Sequence, residues 1–372
     1  MLKTYKYRLF PTKKQQTILN KTLEECRWLY NHFLEERKTS WEKNKKSLNY
    51  HSQAVSIPKL KRDRQTLSSV YSQVLQNVAV RVDLAFQGFF RRVKAKEKPG
   101  YPRFKGMGWY DSITYPQMGF EITKQKLELS KIGSIKIKLH RPLGKILKTC
   151  TIRRQAGKWY ACFSCEAKIK PLKKSKEAIG IDVGLESFAT FSNGEKIENP
   201  HFFKTDQKAL AKIQRKLSKL EKKNPKRKKV KKTIARIHER IFNRRNNFCH
   251  QEARKLVNHF DMICIEDLSI NEMKRGNFRS INRNIGDVAW GQFAQYLSYK
   301  AANAGKTLVK VNPAYTSQTC SKCGYRESKK LSDRVHHCSS CGFECPRDLN
   351  ASLNILALGL QRIGSIRRSP RL

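Results

Sequence analysis

The stretch Gly180-Ile181-Asp182-Val183-Gly184 places one carboxylate in a run that is otherwise apolar. Such a run reads as a buried strand. A lone buried carboxylate is costly unless a cation or hydrogen-bond donors compensate it, so Asp182 asks for a partner. Working outward, Ile179 to Phe191 is a strand with its hairpin partner, turning at Ser192-Asn193-Gly194. Two long basic helices follow. Leu210, Ile213, Leu217 and Leu220 lie on the first, and Val230, Ile234, Ile237 and Ile241 on the second, with Pro225 between them. Met262-Ile263-Cys264-Ile265 is a second short apolar strand, ending at Glu266-Asp267. A basic loop, Lys274 to Arg283, precedes a helix containing Trp290, Phe293 and Leu297; Lys306 to Val311 is a third strand, and Asp348 to Gly359 a closing helix.

This order of strand, hairpin, helices, strand, helix, strand and helix fits an α/β domain of RNase H-like type. Glu266 repeats the pattern of Asp182, an acid closing an apolar strand, and Asp348 opens the last helix, where its charge suits the helix dipole. Three converging acids can hold two divalent ions, one to activate water and one to stabilise the leaving oxygen of a phosphodiester. Hard oxygen ligands favour Mg²⁺, with Mn²⁺ a substitute. Taken singly, Asp348 is also explained as a helix N-cap and Glu266-Asp267 as a solvated strand end.

Cys320-Ser-Lys-Cys323-Gly324 and Cys338-Ser-Ser-Cys341-Gly342 are two CxxCG knuckles. Four thiolates so spaced make a closed structural zinc site, with a rubredoxin-like iron site as the alternative. His336, His337 and Cys345 stand close by but are not needed, since four sulfurs saturate zinc. Cys26, Cys150, Cys162, Cys165, Cys249 and Cys264 read as ordinary reduced residues.

Upstream, Lys3 to Phe10 alternates as a strand. Thr12 and Gln15 form a capping box that opens a long amphipathic helix through Leu34. Asn44 to Pro58 reads as a polar stretch. A second helix is expected from about Ser68, with Val74, Val78, Val82, Phe86, Phe89 and Phe90 as its core face. Gly100 to Gly106 is turn-rich and basic. From Ile113 to Glu166 the pattern is β, Ala156-Gly157 forming a hairpin, and strand Lys3 to Phe10 is able to rejoin that later sheet. Lys168 to Lys176 is a charged linker.

The chain has 372 residues, more than one core usually organises. Lys and Arg total 78 against 30 Asp and Glu, a net charge of +48. A compact chain with that excess repels itself unless a polyanion neutralises it, and nucleic acid is the natural one. The N-terminus does not read as a secretory leader, and no apolar stretch reaches the roughly 20 residues of a membrane span. The expected setting is the prokaryotic cytoplasm, beside the nucleoid.

Taken in order, Gly180-Ile-Asp-Val-Gly-Leu, Cys264-Ile-Glu-Asp-Leu, Pro313-Ala-Tyr-Thr-Ser-Gln-Thr-Cys-Ser-Lys-Cys-Gly and Arg347-Asp-Leu-Asn-Ala-Ser-Leu-Asn-Ile resemble the ordered motifs of the TnpB (OrfB-type transposase) family. Gly100-Tyr-Pro-Arg-Phe-Lys and Trp290-Gly-Gln-Phe fit the same family. The resemblance implies a multidomain α/β protein. Its parts would be a β-barrel-like wedge domain (1–10 and 107–168), an inserted helical recognition domain (11–106), a RuvC-like nuclease (177–312 and 346–372) and an inserted zinc ribbon (313–345). It also implies an RNA-guided, metal-dependent DNA endonuclease related to type V CRISPR effectors. Its partners would be a guide RNA from the transposon end and double-stranded DNA bearing a short flanking motif, with no obligate protein partner. On this resemblance Asp182, Glu266 and Asp348 are the catalytic, magnesium-binding acids, and Cys320, Cys323, Cys338 and Cys341 bind zinc. Pro346 departs from the Asp-Arg-Asp run common in the family. The rival expectations are a guided DNA-binding regulator that does not cut, and a transposase proper.

Overall fold

The computed structural model describes residues 2–144, 146–169, 171–275, 277–330 and 332–368. Positions 1, 145, 170, 276, 331 and 369–372, which fall within the expected segments, lie outside the described residues. The chain divides into two compact units, Met1–Lys168 and Ile169–Leu372.

The first unit begins with β1 (Leu2–Phe10), stopped by Pro11. Thr12 and Gln15 then close a reciprocal capping box on α1 (Lys13–Asn44). Helix α2 (Tyr50–Asp63) occupies the stretch expected to be merely polar, and this is a correction. Its start is fixed by a second capping box, Asn49 with Ser52. It docks through Ile57, with Tyr50 and Leu60 partly buried against the same core, and through Gln53, which is fully buried. Gln53 accepts from Arg37 Nε at 2.8 Å and donates to the Phe33 carbonyl at 2.9 Å, while Arg37 also reaches Asp83 at 3.0 Å. Helix α3 (Ser72–Lys94) begins four residues later than expected, after a 3₁₀ turn at Gln65–Ser69. Its face Val74, Val78, Val82 and Phe86 is buried as read, but Phe90 is 58% exposed and belongs to the surface.

Seven antiparallel strands complete this unit: β1, β2 (Ser112–Tyr115), β3 (Phe120–Thr123), β4 (Lys126–Leu129), β5 (Gly133–Lys138), β6 (Leu147–Gln155) and β7 (Lys158–Glu166). Their order is β2-β6-β7-β1-β5-β4-β3, so the N-terminal strand lies at the centre of the sheet. The hairpin β6–β7 turns at Ala156-Gly157, as the sequence indicated.

The second unit holds a five-stranded sheet ordered β10-β9-β8-β11-β12. Its strands are β8 (Ala178–Asp182), β9 (Ser187–Phe191), β10 (Lys196–Glu198), β11 (Met262–Glu266) and β12 (Thr307–Val311). Strands β8, β11 and β12 run parallel, and β9 and β10 are antiparallel. The basic helices are α4 (Phe202–Ser218) and α5 (Lys226–His259). A short α6 (Ile270–Met273) follows β11. Next comes α7 (Arg279–Val288), which occupies half of the segment expected to be a basic loop. Ile285 and Val288 are buried, and that anchors it. Helix α8 (Trp290–Ala304) packs with α5 on one sheet face, where Phe188 meets Phe248 and Phe293 edge-on.

Helix α9 (Arg347–Arg368) covers the other face and runs past the expected end at Gly359. It lies so close to β8 that a Cβ on Gly180 would overlap the Ser352 carbonyl oxygen and fall 2.8 Å from Leu356. Gly359 faces the Cys264 sulfur in the same way. Backbone is the obstacle at Gly180, and overpacking against an atom that cannot rotate aside is poorly relieved. Gly180→Ala should therefore cost about 3 kcal/mol, lowering the melting temperature of this unit by roughly 6–12 °C in calorimetry.

Candidate nuclease centre and cysteine cluster

Register brings two of the acids together. Ile265 pairs with Ile181 in the parallel ladder β11–β8, so Glu266 and Asp182, one residue on, end adjacent strands side by side. Strand side chains alternate faces. Asp182 and Glu266 thus share the face of Gly180 and Cys264, over which α9 runs. Asp348 stands in the first turn of that helix.

The electrostatics show the convergence. Burial first, then the Glu266 carboxylate, then that of Asp348, push the Asp182 carboxyl up to about 8. The Arg347 guanidinium and the Val183 amide only partly oppose them. Burial also raises Glu266, against a 2.6 Å hydrogen bond donated by the Thr316 hydroxyl to its Oε1. A carboxylate driven this far up by burial and by like charges is short of positive charge, and carboxylate oxygens are the ligand type that hard divalent cations take.

Four sulfurs form a second centre. The Sγ atoms of Cys320, Cys323, Cys338 and Cys341 all lie within 4.8 Å of one another. Cys320 to Cys341 is 3.8 Å and Cys323 to Cys338 is 3.6 Å. Tetrahedral zinc with bonds of about 2.3 Å requires sulfur edges of about 3.8 Å, so these two edges match the ion. The two knuckles repeat one hydrogen-bond pattern. Gly324 donates to the Cys320 carbonyl and Gly342 to that of Cys338, each at 2.9 Å. Cys320 and Cys338 donate in turn to Tyr325 and Phe343. Strands β13 (Val335–His337) and β14 (Glu344–Pro346) close the module. His336 is buried against Lys329 and His337 pairs with Glu344, so neither histidine is drawn into the cluster.

The sequence reading missed the residues that join the centres. Asn350 of α9 donates to the Thr319 carbonyl at 2.7 Å and accepts from the Ser321 amide at 2.9 Å, pinning the first knuckle. Asn354, one turn on, donates to the Thr316 carbonyl at 2.8 Å and also to that of Thr319. Thr316 is the residue that holds Glu266. Asn350 and Asn354 at i and i+4 in an otherwise apolar helix were the available signal. The remaining cysteines are unpaired, and burial pushes the Cys249 and Cys264 thiols up to about 11, as suits inert core residues.

Comparison with known proteins identifies the family. Residues 161–277 match a family described as "Probable transposase", residues 290–355 a "Cas12f1-like, TNB domain", and residues 1–46 a "Helix-turn-helix domain". In this chain the last span is strand β1 and the single helix α1. The chain is thus a protein of the transposon-associated OrfB class. More narrowly, it belongs to the TnpB family. An RNA-guided DNA endonuclease of Streptomyces pristinaespiralis is 34% identical, over 96% of this chain and 89% of that protein. The Escherichia coli K12 relative InsQ, of the same description, is 30% identical over 96% of this chain and 92% of its own length. The fold is shared with the mini-RNA-guided endonuclease CRISPR-Cas_phi3, at a TM-score of 0.50 and 12% identity, over 97% of this chain and 92% of that one. Among the described residues no helix is long and apolar enough to cross a membrane.

Two measurements probe the centres. Chelation at neutral pH, or Cys338→Ser, should release one zinc per chain in a colorimetric assay and lower the melting temperature. The second follows from Asp182. Its folded-state value near 8 lies above the ordinary 3.8, so the metal-free fold keeps a proton that the unfolded chain gives up. Its contribution to stability is complete below about pH 4 and is lost as pH rises through about 8. Added Mg²⁺ should therefore raise the melting temperature more at pH 8.5 than at pH 6, and Asp182→Asn should abolish that difference.

Proposed function

We propose that this protein is an RNA-guided DNA endonuclease that cuts beside a short flanking motif, with Asp182, Glu266 and Asp348 as the acids of a RuvC-like, magnesium- or manganese-dependent centre. The observation that carries the reading is that Asp182 and Glu266 end adjacent strands while burial, then the charges of Glu266 and Asp348, push the Asp182 carboxyl up. The strand order, with α9 across β8, supports assigning 177–312 and 346–372 to an RNase H-like nuclease and 313–345 to a zinc ribbon. The seven-stranded sheet and helices α1 to α3 support a wedge-like domain (1–10 and 107–168) and a recognition domain (11–106). The relatives' description as RNA-guided DNA endonucleases supports guide RNA and target DNA as partners.

In such a centre a bound pair of divalent cations supplies an activated water and stabilises the leaving oxygen. The chain's own residues prepare it. Thr316 ties one oxygen of Glu266 and so fixes how the other is presented. Asp182, between Glu266 and Asp348, surrenders its proton when positive charge arrives. Arg347, tied to the Lys330 carbonyl at 3.0 Å, keeps a cationic guanidinium beside the acids. Base pairing would read sequence while the protein reads backbone and motif. The exposed lysines of α5, Lys226 to Lys232, offer phosphate contacts whose affinity falls with salt.

The test is Asp182→Ala in the RNA-bound protein. Cleavage of guide-matched DNA should fall to background while the co-purifying RNA is unchanged in amount and sequence. Undiminished cutting in Mg²⁺ refutes the assignment, and cutting by RNA-free wild type would identify a transposase instead.

A further inference from the structure

Between α3 and β2 the segment Gly100–Trp109 carries apolar side chains where a surface turn ordinarily carries polar ones. Met107 is 84% exposed and Trp109 79%. They sit on the tight turn Gly106-Met107-Gly108-Trp109, closed by the Trp109 amide donating to the Gly106 carbonyl at 3.0 Å. Gly108 has φ +78°, the value a type II turn needs at its third residue.

The turn is fixed on both sides. Before it, the Lys105 carbonyl accepts from Arg27 at 2.9 Å and from Asn31 at 3.0 Å, and the Lys105 amide returns a 2.7 Å bond to the Asn31 oxygen. After it, Tyr110 is 6% exposed, its ring tilted against Tyr30 and lying under the Arg81 guanidinium. Two large apolar groups are thus held out in water by a pinned backbone, and they do not collapse onto the unit. From Lys98 to Tyr110 there is no acidic residue, while Lys98, Arg103 and Lys105 flank the turn. A polyanion with stackable faces complements that surface. Apolar side chains entering a base step unstack it.

We propose that Trp109 and Met107 form a wedge that opens the target duplex, stacking on the first base pair to separate. The proposal rests on the RNA-guided reading, in which local melting must precede pairing with the guide. It specifies where in this chain that melting is driven. Trp109 is a positioning residue for DNA and takes no part in cleavage.

The test uses the RNA-bound full chain, with Trp109→Ala and Trp109→Phe, on two DNAs. One is a fully paired target, and the other has its first few guide-facing positions already mismatched. Trp109→Ala should cut the paired target at least roughly 10-fold more slowly, in keeping with the loss of one base–aromatic stack. It should recover the wild-type rate on the mismatched target, and Trp109→Phe should stay near wild type on both. Equal slowing on the two DNAs, or no slowing on the paired one, overturns the proposal. So does loss of co-purifying RNA from Trp109→Ala, which would make the turn an RNA platform. A second readout needs no cleavage. In an Asp182→Ala background, a 2-aminopurine at the first guide-facing position should brighten on binding, and adding Trp109→Ala should suppress that signal. Brightening that persists with Trp109→Ala also overturns the wedge. Absence of cutting by wild type refutes the nuclease reading alone, since this fluorescence still tests the wedge.

Discussion

The second unit depends on one close approach, the backbone of α9 laid against β8 where Gly180 has no side chain. That contact sets the height of the helix above the sheet and so puts its first turn over the ends of β8 and β11. Asp348 arrives beside Asp182 and Glu266 for this reason. The price is electrostatic: three like-charged groups share a half-buried edge, and Asp182 answers by holding its proton. Sheet packing supplies the energy for this arrangement, and positive charge placed there would relieve it.

The cysteine cluster belongs to the same construction. Asn350 and Asn354 bind carbonyls on both sides of Thr316, and Thr316 holds Glu266. The four sulfurs fix the knuckle whose Ser321 amide caps the Asn350 oxygen. Order at the cysteine cluster is therefore transmitted to the Glu266 carboxylate through two asparagines and a threonine. A four-cysteine cluster of this kind could hold a structural zinc, and here its knuckle also braces the loop that holds Glu266.

Much of this was legible from residue pattern. An acid inside an apolar strand, Asp182, and the spacing of the four cysteines each mark a place to look, and the structure gathers the four sulfurs and sets Asp182 on the strand beside Glu266. The β1 strand and both ends of the β6–β7 hairpin follow from alternation and turn residues. What was illegible shares a cause. Helix α2 packs through Tyr50, Ile57 and Leu60, but the fully buried Gln53 interrupts that stripe, and Pro58 in its interior argues against a helix. Only the Asn49–Ser52 capping box announced it. Helix α7 hides in the basic composition of its segment, with Ile285 and Val288 as its sole buried anchors. Phe90 looked like core because periodicity counts an aromatic as apolar whether or not anything covers it. The Thr316 and asparagine contacts depend on loops meeting a helix, which no local pattern encodes.

The place of β1 has a consequence for synthesis. Leu9 pairs with Trp159, a hundred and fifty residues downstream, and on its other side with Ile137. At the usual pace of translation the first strand leaves the ribosome roughly 8 to 30 seconds before its last neighbour exists. Its Lys3, Lys6 and Arg8 keep that waiting strand charged, which discourages pairing with other nascent chains. The sheet of the first unit can close only when its N-terminal segment has almost finished being a tail.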